Sequence, residues 1–181
     1  LYTDLQGRSL AQWLALITDQ LGKPLPATFV PTLRQRAAAA LWAEVTPITG
    51  VAEALARIQI PVCVASSGEH AKIRLTLGKT GLLARFGANI FSGVDVAKPK
   101  PAPDLYRYVA QQKGVAPYAC AVIEDSPVGV QAGVAAGMVV FGFAAATPAP
   151  ALRAAGAHLI FSDMTHLPDL LVSASVLARR S

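Results

Sequence analysis

Charge is scarce in this 181-residue chain: Asp, Glu, Lys and Arg make up 15% of it, against 53% hydrophobic residues. That balance excludes a disordered chain and favours a well-buried core. Aromatic residues are also few, at 7%. The net charge of +5 is scattered over pairs such as Arg34 and Arg36, Lys98 and Lys100, and Arg179 and Arg180. With no basic run and little aromatic interleaving, the charge reads as solvated surface, without a nucleic-acid partner. Only two cysteines occur. Cys63 and Cys120 lie inside apolar runs, which excludes a disulfide framework and fits small buried hydrophobes in a reducing, cytoplasmic setting. The opening Leu1-Tyr2-Thr3-Asp4 has neither the features of a secretory signal nor a Met. No charged residue falls between Pro127 and Leu152, but Gly129, Gly133, Gly137, Gly142, Pro148 and Pro150 interrupt that stretch. It reads as a buried helix followed by a buried strand, with no membrane span. His70, His158 and His166 have no partners at metal-ligand spacing.

The pattern along the chain changes near residue 46. Before it, Leu10, Trp13, Leu14, Ile17 and Leu21 recur at helical spacing behind a capping Ser9, and Gly22 with Pro24 and Pro26 ends that helix. A second helix follows Thr28 and carries Phe29, Leu33, Ala37 and Leu41, with Arg34 and Arg36 on its wet face. After residue 46, short apolar strands alternate with helices. Strands are expected over 60–65, 88–92, 119–123, 138–143 and 158–161. The helices between them start and stop at residues such as Ser126-Pro127, Gly81 and Gly114. Apolar strands separated by helices imply one parallel sheet covered on both faces, a Rossmann-like α/β fold.

Ligands in such sheets bind beyond the carboxyl ends of the strands. Two polar clusters belong there, Ser66-Ser67-Gly68 and Glu124-Asp125-Ser126. Two adjacent carboxylates at a strand end suit a hard cation such as Mg²⁺, and they equally suit a simple helix cap. Ser66 and Ser67 at a helix start can bind an anion or only cap the helix. Lys100 is flanked by Pro99 and Pro101, which restrict its backbone, although Lys98 competes with it and solvated surface is the ordinary fate of a lysine.

Taken in order, these segments resemble the haloacid dehalogenase superfamily, in particular its phosphatase and beta-phosphoglucomutase-like branch with a helical cap. Val64-Ala65-Ser66-Ser67-Gly68 is similar to the second motif of that family. Lys100-Pro101-Ala102-Pro103-Asp104 is similar to the third, and Ile123-Glu124-Asp125-Ser126-Pro127-Val128-Gly129-Val130-Gln131-Ala132-Gly133 to the fourth. The resemblance implies an α/β core over 47–181 and a helical cap over 1–46. It implies a Mg²⁺-dependent phosphatase acting on a small phosphorylated metabolite, such as a sugar phosphate or phosphoglycolate, in a monomer or weak dimer. A phosphomutase or a non-catalytic phosphate binder is the alternative. Ser66 and Lys100 would hold the transferring phosphoryl group, with Ser67 beside them. Asp125 would ligate the metal, and Glu124 would be a second ligand or accept from a metal-bound water. Arg8 is a candidate for substrate recognition.

One part of the family pattern is missing from residues 1–181. The first motif, Asp-x-Asp-Gly behind an apolar strand, does not occur, and Asp4 is followed by Leu5-Gln6-Gly7 instead. The resemblance implies that this strand, its attacking Asp and the first cap helix form a segment of about forty residues ahead of Leu1. Without it, weak Mg²⁺ binding and no turnover are expected.

Overall fold

The structure, a computed structural model, describes residues 9–178, with side chains through residue 173. Arg8 and Asp4 lie outside the described residues. Helix α1 (Leu10–Leu21) starts at Ser9, whose hydroxyl accepts from the Gln12 amide while the Gln12 side chain accepts from the Ser9 amide. This reciprocal box satisfies two of the amide donors at the helix start. The helix stops at Gly22, which adopts the left-handed conformation (φ 62°) open to glycine at low strain. Helix α2 (Phe29–Glu44) follows the proline break. Neither α1 nor α2 contains a buried residue.

The alternation expected after residue 46 is present. It comprises α3 (Val51–Arg57), β1 (Val64–Ser66), α4 (His70–Lys79), α5 (Leu83–Phe86), β2 (Ile90–Ser92), α6 (Asp104–Lys113) and β3 (Ala121–Glu124). Then come α7 (Pro127–Ala135), β4 (Val139–Phe143), α8 (Ala149–Ala154), β5 (Leu159–Phe161) and α9 (Leu167–Ala178). Among the described residues all strand pairs are parallel. The strands form two sheets in place of the single sheet expected, β1-β2 and β3-β4-β5. The first strand is also shorter than the apolar run 60–65. It begins at Val64, where pairing with Ile90 starts, and Ile60 is 56% exposed. Apolar character alone does not make a strand where no neighbour accepts its hydrogen bonds.

Shared cores join the two sheets. Ala65 of β1 packs on the cluster of Val122, Val130, Val140 and Leu152. Val62 and Ile123 pack together with the cluster of Phe141, Phe143 and Phe161. Side chains such as Leu152, fully buried, each stabilise by about 1.5–3 kcal/mol relative to exposure. Helix α7 lies close on the sheet because Gly133 faces Val140. A Cβ at residue 133 would sit 2.7 Å from Val140 Cγ2. Among the described residues no helix is long and apolar enough to cross a membrane. Both cysteines are free thiols.

Candidate active site

The ends of β1 and β3 meet at Lys100. Its ammonium donates to the Ala65 carbonyl at 3.2 Å, to the Tyr106 hydroxyl at 2.8 Å and to Glu124 Oε1 at 2.5 Å. A lysine has three donor protons, and each is used. Lys100 is 4% exposed, while Lys98 is exposed. The competition between the two lysines is thus decided by burial. Tyr106, one turn into α6, closes the net by donating to Glu124 Oε1 at 2.6 Å. The phenol lies beneath the ammonium, which is 4.5 Å from the ring centre.

Glu124 ends β3 and is saturated. Oε1 accepts from Lys100 and Tyr106, and Oε2 accepts from the Ser126 hydroxyl at 3.0 Å and the Ser126 amide at 3.4 Å. Burial alone would raise this carboxyl. The Lys100 charge and the bonds from Lys100, Tyr106 and Ser126 outweigh that and hold it below its ordinary value. The same Glu124 charge, added to burial, pushes the Tyr106 phenol well above its ordinary value.

Ser126 serves two groups at once. Its hydroxyl donates to Glu124 and accepts from the Gly129 amide at 3.1 Å, so it caps α7 as the sequence suggests. Gly129 is required sterically, because a Cβ there would fall 2.0 Å from the Glu124 carboxyl carbon. The first turn of α7 and the glutamate therefore occupy one slot. Asp125 is the exposed member of the acid pair. Burial of part of its surroundings and the Glu124 charge push its carboxyl up, against a backbone hydrogen bond and Lys100.

Ser66 ends β1, and its hydroxyl accepts from the Gly68 amide at 3.1 Å. This turn is pinned from the neighbouring strand. The buried Ser92 hydroxyl donates to the Gly68 carbonyl at 2.6 Å. Gly93 abuts Ser67, where an added Cβ would lie 3.2 Å from Ser67 Cα. Just beyond the turn, His70 and Asp95 bond at 2.8 Å. A cleft of about 840 Å³ opens beside Ser67 and Gly68, walled by Leu10, Trp13, Leu41 and Leu75.

The structure thus brings Lys100 to the end of β1, which carries Ser66, and joins it to Glu124. It leaves Asp125 at the rim. Tyr106 and Ser92 were not singled out from the sequence, and Gly129 entered only as part of the fourth-motif segment and as a break in the uncharged stretch. Tyr106 and Gly129 lie within or just after the motif segments, so their spacing was a usable signal. Ser92 carries no motif and is found only through the sheet.

A family model described as haloacid dehalogenase-like hydrolase matches residues 4–137. The chain belongs to the haloacid dehalogenase-like hydrolase family. A 6-phosphogluconate phosphatase of Escherichia coli (strain K12) is 32% identical over 141 residues, covering 77% of this chain and 64% of the relative. Hexitol phosphatase A of the same organism is 37% identical over 95 residues, covering 52% of this chain and 43% of the relative. The chain therefore aligns with less than two thirds of the length of these relatives. The crystal structure of a family hydrolase from Deinococcus radiodurans, with bound phosphate and sodium, is 33% identical with a TM-score of 0.74. It covers 94% of this chain and 78% of that one.

Proposed function

We propose that the protein is a Mg²⁺-dependent phosphatase acting on a small phosphorylated metabolite, most simply a sugar or sugar-acid phosphate. The observation that carries this reading is the buried Lys100, charge-balanced by Glu124, at the meeting point of two parallel strand ends beside the Ser66 turn. Phosphoryl transfer requires positive charge and hydrogen-bond donors fixed where negative charge accumulates. Lys100 supplies the charge. Its bond to the Ala65 carbonyl is the longest of its three and is the one exchanged for a phosphoryl oxygen. Glu124 and Tyr106 then keep the ammonium aimed. Ser66 and the backbone amides of its turn supply donors at the start of α4.

The acid pair divides the remaining work. Both oxygens of Glu124 are occupied, so we assign it to Lys100. Asp125, exposed and with its carboxyl pushed up, is assigned as the protein carboxylate for the metal. One carboxylate with water and phosphate oxygens suits Mg²⁺, which keeps much of its hydration. When bound, the ion would neutralise charge on the phosphoryl oxygens. Residues 1–46 act as a cap in this reading, and the cleft walled by Leu10 and Trp13 receives the leaving group. The free thiols fit a reducing compartment such as the cytoplasm.

An in-line attack on phosphorus also needs a nucleophile. Ser66, Lys100 and Asp125 bind and stabilise charge. The attacking carboxylate of the family pattern belongs to an Asp-x-Asp-Gly run that residues 1–181 do not contain. A polypeptide of these residues alone is expected to hold phosphate without turning it over. The reading is tested by phosphate release from protein expressed from its complete gene. The panel is 6-phosphogluconate, fructose 1-phosphate, hexitol phosphates and phosphoglycolate, with and without Mg²⁺. Release that depends on Mg²⁺ supports it. Isomerised product dependent on a bisphosphate activator would replace it with a mutase, and no turnover of any phosphomonoester would remove it.

A further inference from the structure

We propose that Gln12 is a positioning residue that holds the backbone of Lys100, which rests on the phosphatase reading above for its catalytic meaning. Gln12 lies in the first turn of α1 and uses the two ends of its amide differently. Oε1 accepts from the Ser9 amide at 2.8 Å, within the capping box. Nε2 donates to the Lys100 carbonyl at 3.1 Å, across 88 residues of chain. The orientation of the amide is forced by its neighbours. Reversing it would set Nε2 against the Ser9 N–H and Oε1 against the Lys100 carbonyl, leaving both contacts repulsive.

Lys100 is consequently held at both ends. The α/β part fixes its ammonium through Ala65, Tyr106 and Glu124. The N-terminal helix fixes its carbonyl. A second tie from the same helical pair also lands beside the site: Arg34 of α2 bonds Glu69, next to the Ser66-Ser67-Gly68 turn, at 2.5 Å. A shift of α1 relative to the sheets therefore pulls on the main chain that carries the ammonium. Small displacements of a charge-stabilising group lower the rate of the chemical step more than they lower substrate affinity.

The capping box accepts Glu as readily as Gln, because only an acceptor is needed toward Ser9. The Lys100 carbonyl needs a donor, which Glu at pH 7 lacks. Gln12→Glu thus separates the two roles, and the uncharged Gln12→Met removes both. In protein expressed from its complete gene, both variants should lower kcat about tenfold with KM within about twofold. Amide exchange supplies a readout independent of activity. The Ala102 amide, bonded to the Pro99 carbonyl at 3.0 Å, should exchange faster in both variants, while the Ser9 amide, bonded to Gln12 Oε1, keeps its protection in Gln12→Glu and loses it in Gln12→Met. Gln12→Glu with wild-type kcat and wild-type exchange at Ala102 would overturn the proposal and leave Gln12 a helix cap. If the wild-type protein releases no phosphate, the phosphatase reading fails and the exchange comparison alone decides the role of Gln12.

Discussion

On one side of the cleft, Lys100, Tyr106, Glu124 and Ser126 form a buried net in which every polar group just described has a partner. On the other side, α1 and α2 bury no residue and reach the site through polar ties such as Gln12 to Lys100 and Arg34 to Glu69. Losing either Lys100 or Glu124 from the first region strands the other's charge in a largely buried place. The second holds no buried charge, so single side-chain changes on its exposed face remove only solvated contacts. A buried charge-holding floor thus faces a helical wall joined to it by exposed and part-buried polar ties, and the proposed function assigns the chemistry to the floor and substrate selection to the wall.

The contrast is broken most severely at the floor. Lys100→Met leaves the Glu124 carboxylate buried and unpaired, and should destabilise by about 3–5 kcal/mol in chemical denaturation. Adding Glu124→Gln removes the stranded charge and should recover most of that loss. Next comes Gly129→Ala. Its methyl group would overlap the Glu124 carboxyl, so about 1–3 kcal/mol of stability should be lost by overpacking, and activity should fall with it. By contrast Arg36→Ala, at an exposed residue of α2, should be nearly silent.

The acid pair sharpens the contrast through pH. The Glu124 carboxyl is held below its ordinary value in the folded protein. Its stabilisation is therefore complete above the unfolded value, about 4.3 for a free glutamate, and is lost as pH falls through the folded one. Asp125 is shifted the other way. Stability should fall as pH rises through its folded value, because the ionised form is disfavoured there. Asp125→Asn should remove that loss and leave the Glu124 loss at falling pH intact when melting is followed against pH. It should also abolish thermal stabilisation by Mg²⁺ in the protein from its complete gene. The smallest effect belongs to the wall. Arg34→Ala breaks an ion pair whose side chains are 56% and 38% exposed, and should change stability by no more than about 1 kcal/mol.

Much of the floor was legible in the sequence because it is encoded locally. The helix start at Ser126-Pro127, the stop at Gly114 and the order of the three motif segments are short-range signals. The structure confirms the stop of α6 at Gly114 and the capping role of Ser126. What was not legible depends on pairing at a distance. The division into two sheets and the late start of β1 follow from which strands find hydrogen-bond partners. The engagement of Glu124 by Lys100 and Tyr106 requires folding 24 and 18 residues of separation into one net. Adjacency in the sequence does not tell that Glu124 is engaged by Lys100 and Tyr106 while Asp125 stays at the rim. Opposite burial makes them different groups. Helix α9 was also not anticipated from its pattern.

The central claim is that Lys100 stabilises a transferring phosphoryl group, beyond its structural pairing with Glu124. The direct measurement is Mg²⁺-dependent phosphate release by the Lys100→Met, Glu124→Gln double variant, prepared from the complete gene and shown by denaturation to be folded. The account predicts that this stable protein loses about a thousandfold or more of the wild-type rate. Turnover within tenfold of wild type would contradict it, and would reduce Lys100 to a structural partner of Glu124.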